Sequence, residues 1–120
     1  MNISESTGVL ISIVGSGRYI YTNDLIAKVL GYSNSEMKNI RPVDIIYKND
    51  MAAMKKNGIM LLLGIKKEIH FSGHFVRKNK ELLQADLIFI KHKTKESKKS
   101  YMVALLDNIK ELAPSESGDS

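Results

Sequence analysis

Cysteine is absent from this chain of 120 residues. Disulfides, thiolate metal sites and cysteine nucleophiles are thereby excluded. Arginine is scarce: Arg18, Arg41 and Arg77 are the only ones, so lysine supplies nearly all of the net charge of +5. Side chains that read bases or phosphates bidentately are usually arginines, and no nucleic-acid-binding motif is present. Long apolar runs are missing too. "GIMLLLGI", Gly58 to Ile65, falls far short of the roughly 20 residues that cross a bilayer. The opening "MNISESTG" is polar and lacks the basic flank of a secretory signal. A cytoplasmic protein with no membrane or nucleic-acid partner is the simplest expectation. Catalytic signatures are also lacking. There is no Ser-His-Asp order, phosphate loop or histidine-glutamate metal helix, and Asp44 and Asp86 are isolated carboxylates. No enzymatic activity is expected.

What is present is an ordinary globular composition, 43% hydrophobic and 26% charged, at a length for one domain. "GVLISIV", Gly8 to Val14, and "RYIYT", Arg18 to Thr22, are β-rich runs joined by Gly15-Ser16-Gly17, which predicts a hairpin. The apolar period then changes. Leu25, Ile26, Val29 and Leu30 fall on one helical face. Thr22 and Asn23 are both suitable N-caps, and Gly31 suits the left-handed residue after a helix end. Ser33 to Glu36 reads as a capping box opening a second short helix. Pro42 blocks continuation before "VDIIY". Asn49 to Gly64 reads as a third and longest helix, with Met51, Met54, Leu61 and Leu62 on its buried side and a bend or close contact at Gly58. Lys67 to Arg77, Leu82 to Lys91 and Tyr101 to Ile109 read as strands, linked by "KNKE" and a charged loop, His92 to Ser100. The order is β-β-α-α-α-β-β-β. It predicts an α+β fold: one five-stranded antiparallel sheet with a helical insert packed on one face. The domain is expected over residues 8–112, with a stub at 1–7 and a disordered polar tail at 113–120.

"IYTNDLIAKVLGYSNSEM", Ile20 to Met37, resembles the PAS family of sensor domains. Asn23, Leu30, Gly31, Tyr32, Ser33 and Glu36 fall on that family's motif positions. Asp50 sits where the family often has an acidic residue before its long helix. "RKNKE" matches its Arg-Lys-Asp-Gly-Glu hairpin, and "LLDNIKE" its terminal Asp-Ile-Thr-Glu. The departures are Lys80 in place of the turn glycine, which points to Asn79 as the left-handed residue, and Asp107-Asn108-Ile109, which keeps only the first terminal residue. No output domain follows in this sequence. The resemblance implies a non-catalytic sensory or relay domain of a signalling protein, such as a sensor kinase or a transcriptional regulator.

It also implies where a ligand would sit. Ile26, Leu30, Met54, Leu61, Phe71 and Phe75 would line a pocket between sheet and helices. The same six also read as plain core, since apolar periodicity marks any core. No cofactor is expected. Heme normally needs an axial histidine, and the long helix has none. The flavin adduct needs a thiol. Non-covalent flavin stays open. Arg18 and Arg77, the cations that could hold a charged metabolite, are expected to face water. Homodimerisation is expected through the outer sheet face at His70, Ser72, His74 and Val76, a set too poor in ligands to hold a metal. The rival readings are a ligand-free pairing module and a small basic nucleic-acid binder.

Overall fold

The structure is a computed structural model that describes residues 7–93, 95, 96 and 98–112. The expected tail and most of the expected stub lie outside them. Five strands form one antiparallel sheet: β1 (Gly8–Ile13), β2 (Tyr19–Thr22), β3 (Glu68–Val76), β4 (Leu82–Lys93) and β5 (Ser100–Glu111), in the order β2-β1-β5-β4-β3. The first and last strands therefore meet at its centre. Leu10 pairs with Ala104, and Ala104 with Phe89. Between β2 and β3 runs a helical arm of α1 (Asp24–Leu30), α2 (Asn34–Met37), α3 (Pro42–Ile45), a 3-10 turn (Lys48–Asp50) and α4 (Met51–Leu62). No helix among the described residues is long and apolar enough to cross a membrane.

Local chemistry explains most of these boundaries. Asn23, extended at φ −82° and ψ 169°, is the residue that caps α1. Its Oδ1 accepts from the Ile26 amide at 3.3 Å, satisfying one of the free donors of the first turn. Gly31, at φ 83°, ends the helix, and its amide and that of Tyr32 both donate to the Ala27 carbonyl. Only glycine adopts that backbone without Cβ strain. The Ser33–Glu36 capping box forms with both bonds present, at 3.0 and 2.9 Å. Lys78 donates to Glu36 at 2.7 Å, and that bond, with the Ser33 amide next, holds the Glu36 carboxyl below the ordinary carboxylate range.

The arm carries one more helix than the sequence predicts. Pro42 starts α3 instead of stopping the chain. It stands at the first helical position, where the missing N–H has no partner to lose and a fixed φ is already helical. The long helix begins at Met51, after the 3-10 turn. Leu61 is buried, but Leu62 is 40% exposed, against expectation. It lies seven residues, two helical turns, beyond the exposed Lys55 and so shares its side. The last strand continues past Ile109 to Glu111. A bulge allows this: the register shifts between Gln84 and Asp86, Asn108 takes φ 52°, and pairing resumes at Lys110 and Glu111.

The core lies between arm and sheet. Leu10, Leu83, Ala85, Leu87, Ala104 and Leu106 from the sheet meet Ile26, Val29, Leu30, Met37 and Ile45 from the arm. Gly8 lies where the two press closest. A Cβ there would stand 2.5 Å from Ile26 Cδ1, and Ile26 is fully buried.

The β3–β4 turn corrects another expectation. Lys80, not Asn79, takes the left-handed conformation, at φ 75°. Asn79 instead folds its side chain onto Glu81, accepting from the Glu81 amide at 3.0 Å and donating to Glu81 Oε1 at 2.7 Å. This side-chain turn forces the strained angle onto the next residue. A non-glycine residue there costs roughly 1–2 kcal/mol, and glycine's unfolded freedom takes back about 0.5–1. Lys80→Gly is therefore expected to stabilise the domain by up to about 1 kcal/mol. Urea denaturation checks this: the midpoint should rise with an unchanged slope.

Candidate functional site

A cavity of about 620 Å³ opens between the inner face of the sheet and the second half of the arm. Leu10 and Ser12 of β1, Tyr19 of β2, Phe89 of β4, and Met102 and Ala104 of β5 form its floor. Pro42, Val43 and Ile46 close one side, and Met51, Met54, Lys55 and Gly58 of α4 another. The β1–β2 turn, Ser16 to Arg18, and Arg41 complete the lining. Small side chains leave this space unfilled. Ala104 has only a methyl at the centre of the floor, and Gly58 has no side chain. A Cβ at Gly58 would meet nothing within 4 Å, so the close contact expected there is replaced by open space. A more open hollow of about 660 Å³ lies by Asp44, Lys48, Glu81 and Leu112.

The floor is largely apolar, with Ser12 and Tyr19 as its polar side chains. Tyr19 is half-buried, and its hydroxyl has no hydrogen-bond partner among the described residues. Burial, with the Asp44 charge second, pushes that hydroxyl well above its ordinary value, so it stays protonated. At the rim, Arg41 is held by Asp44, whose Oδ2 lies 3.7 Å from Arg41 Nε and accepts from the Arg41 amide at 2.9 Å.

Of the six residues expected to line a pocket, Met54 does. Ile26, Leu30 and Phe75 belong to the packed core, Phe71 packs against it, and Leu61 is buried beneath α4. Arg18 is exposed on the cavity rim. Arg77 does not face water as expected. Its side chain is only 21% exposed, Nη1 lies 3.4 Å from Glu111, and Nε is buried without a partner.

Two of the polar joints between arm and sheet are made by side chains of the arm, Asn23 and Asp50. Asn23 Oδ1 also accepts from the Val9 amide at 3.1 Å, while its Nδ2 donates to the Thr7 carbonyl at 2.8 Å. At the other end, Asp50 Oδ2 accepts from the His74 amide at 2.8 Å and lies 3.3 Å from its ring Nδ1. Tyr47 meets the same ring edge-on, at a centroid distance of 6.0 Å. His74 is thus engaged within its own chain, at the edge of the sheet. His70 pairs with Glu68 at 2.9 Å, and Ser72 accepts from Gln84 at 3.4 Å. Val76, the last residue of β3, is half-buried. No group of three or more histidine, aspartate or glutamate side chains is gathered for a metal among the described residues.

The outer face of the sheet is apolar at its centre rather than at β3. Register places Val9, Leu105 and Ile88 in one row and Ile11, Val103 and Ile90 in the next. All six are half-buried by their neighbours alone, and none of the described helices covers them, since the arm lies on the opposite face. His70 and Glu68 end these rows on the β3 side.

No family model and no curated protein matches the chain. Solved structures do. The PAS-B domain of Drosophila melanogaster Cycle with bound glycerol aligns with a TM-score of 0.71 at 15% identity, over 83% of this chain and 97% of that one. A PAS domain from a two-component sensor histidine kinase gives 0.67 at 14% identity, over 92% and 89%. A PAS domain from Desulfitobacterium hafniense gives 0.64 at 25% identity, over 88% and 92%.

Proposed function

We propose that this chain, which has the fold of a PAS domain, is a sensory and relay module: a small molecule enters the cavity under the arm and biases how the arm packs on the sheet. The observation that carries this reading is the cavity itself. Interiors are normally packed to crystal density, and about 620 Å³ with a largely apolar lining is the size and character of a small-molecule site. The floor belongs to β1, β2, β4 and β5, so a change there reaches the central strands. A ligand shifts such a packing equilibrium only through unequal affinity for its two states. The kinase neighbour's name supports a signalling context for the fold. Heme fits the site poorly, because none of the chain's histidines lines it among the described residues. A colourless ligand is the proposal.

Gly58→Leu tests the reading with little risk to the fold. Leucine favours helix over glycine by about 0.5–1 kcal/mol, its Cβ meets open space, and the side chain extends into the cavity. Native mass spectrometry of the purified wild type is expected to show an added small mass, or metabolite screening a raised Tm, and Gly58→Leu to abolish either. A wild type that carries nothing, and whose Tm no compound moves, overturns it.

A second reading rests on a different observation. The apolar centre of the outer sheet face fits a second copy of the chain, so the module also pairs subunits, with or without a ligand. The contact would centre on Val103 and Leu105, with His70 and Ser72 at its margin.

A further inference from the structure

We propose that the ligand is an organic anion with an apolar body, its charged group held at the rim by Arg18, Arg41 and Lys55 and its apolar part lying over Phe89, Met102 and Ala104. This rests on the cavity being a ligand site and adds the chemical class. The charge balance of the lining carries it. Three cations and no carboxylate line the space among the described residues. Arg41 shares its charge with Asp44, the nearest acid. The Arg18 guanidinium and the Lys55 ammonium have neither an ion pair nor a side-chain hydrogen bond with the described residues. Arginine suits this task, because its planar fork matches a carboxylate or phosphate bidentately.

The cations come from three separate elements, the β1–β2 turn, the start of α3 and α4. Surface lysines scattered on one helix would not converge in this way. Below them the lining turns apolar, so a fully hydrophilic anion would leave Leu10, Met54 and Phe89 facing water. A neutral apolar molecule would make no use of the rim. The unpartnered Tyr19 hydroxyl on the floor adds a donor for an oxygen of the same ligand. Pairs of this kind at a wet rim are individually weak. Together they are expected to favour the anion over its neutral isostere by about tenfold.

Matched probes test the class. 4-Phenylbutyrate, 4-phenylbutanol and 4-phenylbutylammonium share one apolar body and differ in the charge of the head. Calorimetry at neutral pH is expected to rank the acid first by about tenfold, the alcohol next and the ammonium last. Added salt should narrow that gap, and Arg18→Gln should shrink it, whereas Lys38→Gln, outside the lining, should leave it intact. If the alcohol binds as tightly as the acid, the anion assignment is wrong while the cavity still stands as a ligand site. If none of the three binds wild type more tightly than Gly58→Leu, the anion assignment falls, and a wild type that also purifies without a bound mass takes the ligand reading with it.

Discussion

Replacing Asn23 with alanine is expected to destabilise the domain by about 2–4 kcal/mol, an effect far larger than that of a simple helix cap. The cap itself contributes about 1 kcal/mol. The same side chain also bonds the Val9 amide at 3.1 Å and the Thr7 carbonyl at 2.8 Å, both part-buried. Alanine strands those groups, and each stranded group costs roughly 1–3 kcal/mol when water cannot reach it. The upper sum is not reached, since these sites are only partly buried. For a domain whose whole stability is about 5–15 kcal/mol, the loss is severe. Asn23→Asp separates the contributions. It keeps the acceptor for Val9 and Ile26 and loses the donor to Thr7, so it should retain part of the stability. Urea denaturation gives the totals, and hydrogen exchange at the Val9 amide reports the local release. A loss below about 0.5 kcal/mol for Asn23→Ala would mean that the arm does not depend on this joint.

Val103→Glu is expected to convert a dimer to a monomer. Val103 lies in the middle of the outer face, between Ile11 and Ile90. A two-fold interface repeats each substitution, so two carboxylates would enter one apolar contact. Burying an unpaired charge costs several kcal/mol, which raises the dissociation constant by at least about a hundredfold. The monomer should remain folded, because the neighbouring inward residue, Ala104, is untouched and the outer face is wet once the dimer parts. Sedimentation velocity across a concentration series checks it. A wild type that stays monomeric at its highest soluble concentration removes the pairing function. A Val103→Glu protein that still dimerises moves the contact elsewhere, and His70→Glu then tests the margin near β3.

These two residues show how far local chemistry reaches. Asn23 is recognisable, alongside Thr22, as a candidate cap from its position before an apolar helical face, and Gly31 and the Ser33–Glu36 pair mark their boundaries in the same way. Each is an interaction between residues a few positions apart, which the chain cannot avoid bringing together. That Asn23 also grips β1 is not readable from its neighbours, because Val9 lies 14 residues away. Asp50 and His74, 24 apart, are a pair for the same reason. His74 has the alternation of an outward strand residue, yet it is drawn into a bond with the arm because β3 is an edge strand and the 3-10 turn passes beside it.

The cavity lay further out of reach. Ile26, Leu30 and Phe75 carry the periodicity of a face turned inward, and they are turned inward. Periodicity cannot distinguish an inward residue that meets another side chain from one that borders empty space. Met54 borders the space, along with Tyr19, Phe89, Met102 and the glycine at 58. A small residue was the one available signal: Gly58 within a helix, which reads as a bend or a close contact and is in fact a missing wall.

The order of the five strands and the boundaries of the first two helices were determined by the sequence alone, because period and capping depend on residues that are adjacent along the chain. The crossing of the arm over the sheet was decided only by the tertiary structure. That crossing depends on volumes and on unmet donors summed over distant segments. It settles which apolar residues close into a core, which leave a cavity, and which cations gather at its rim.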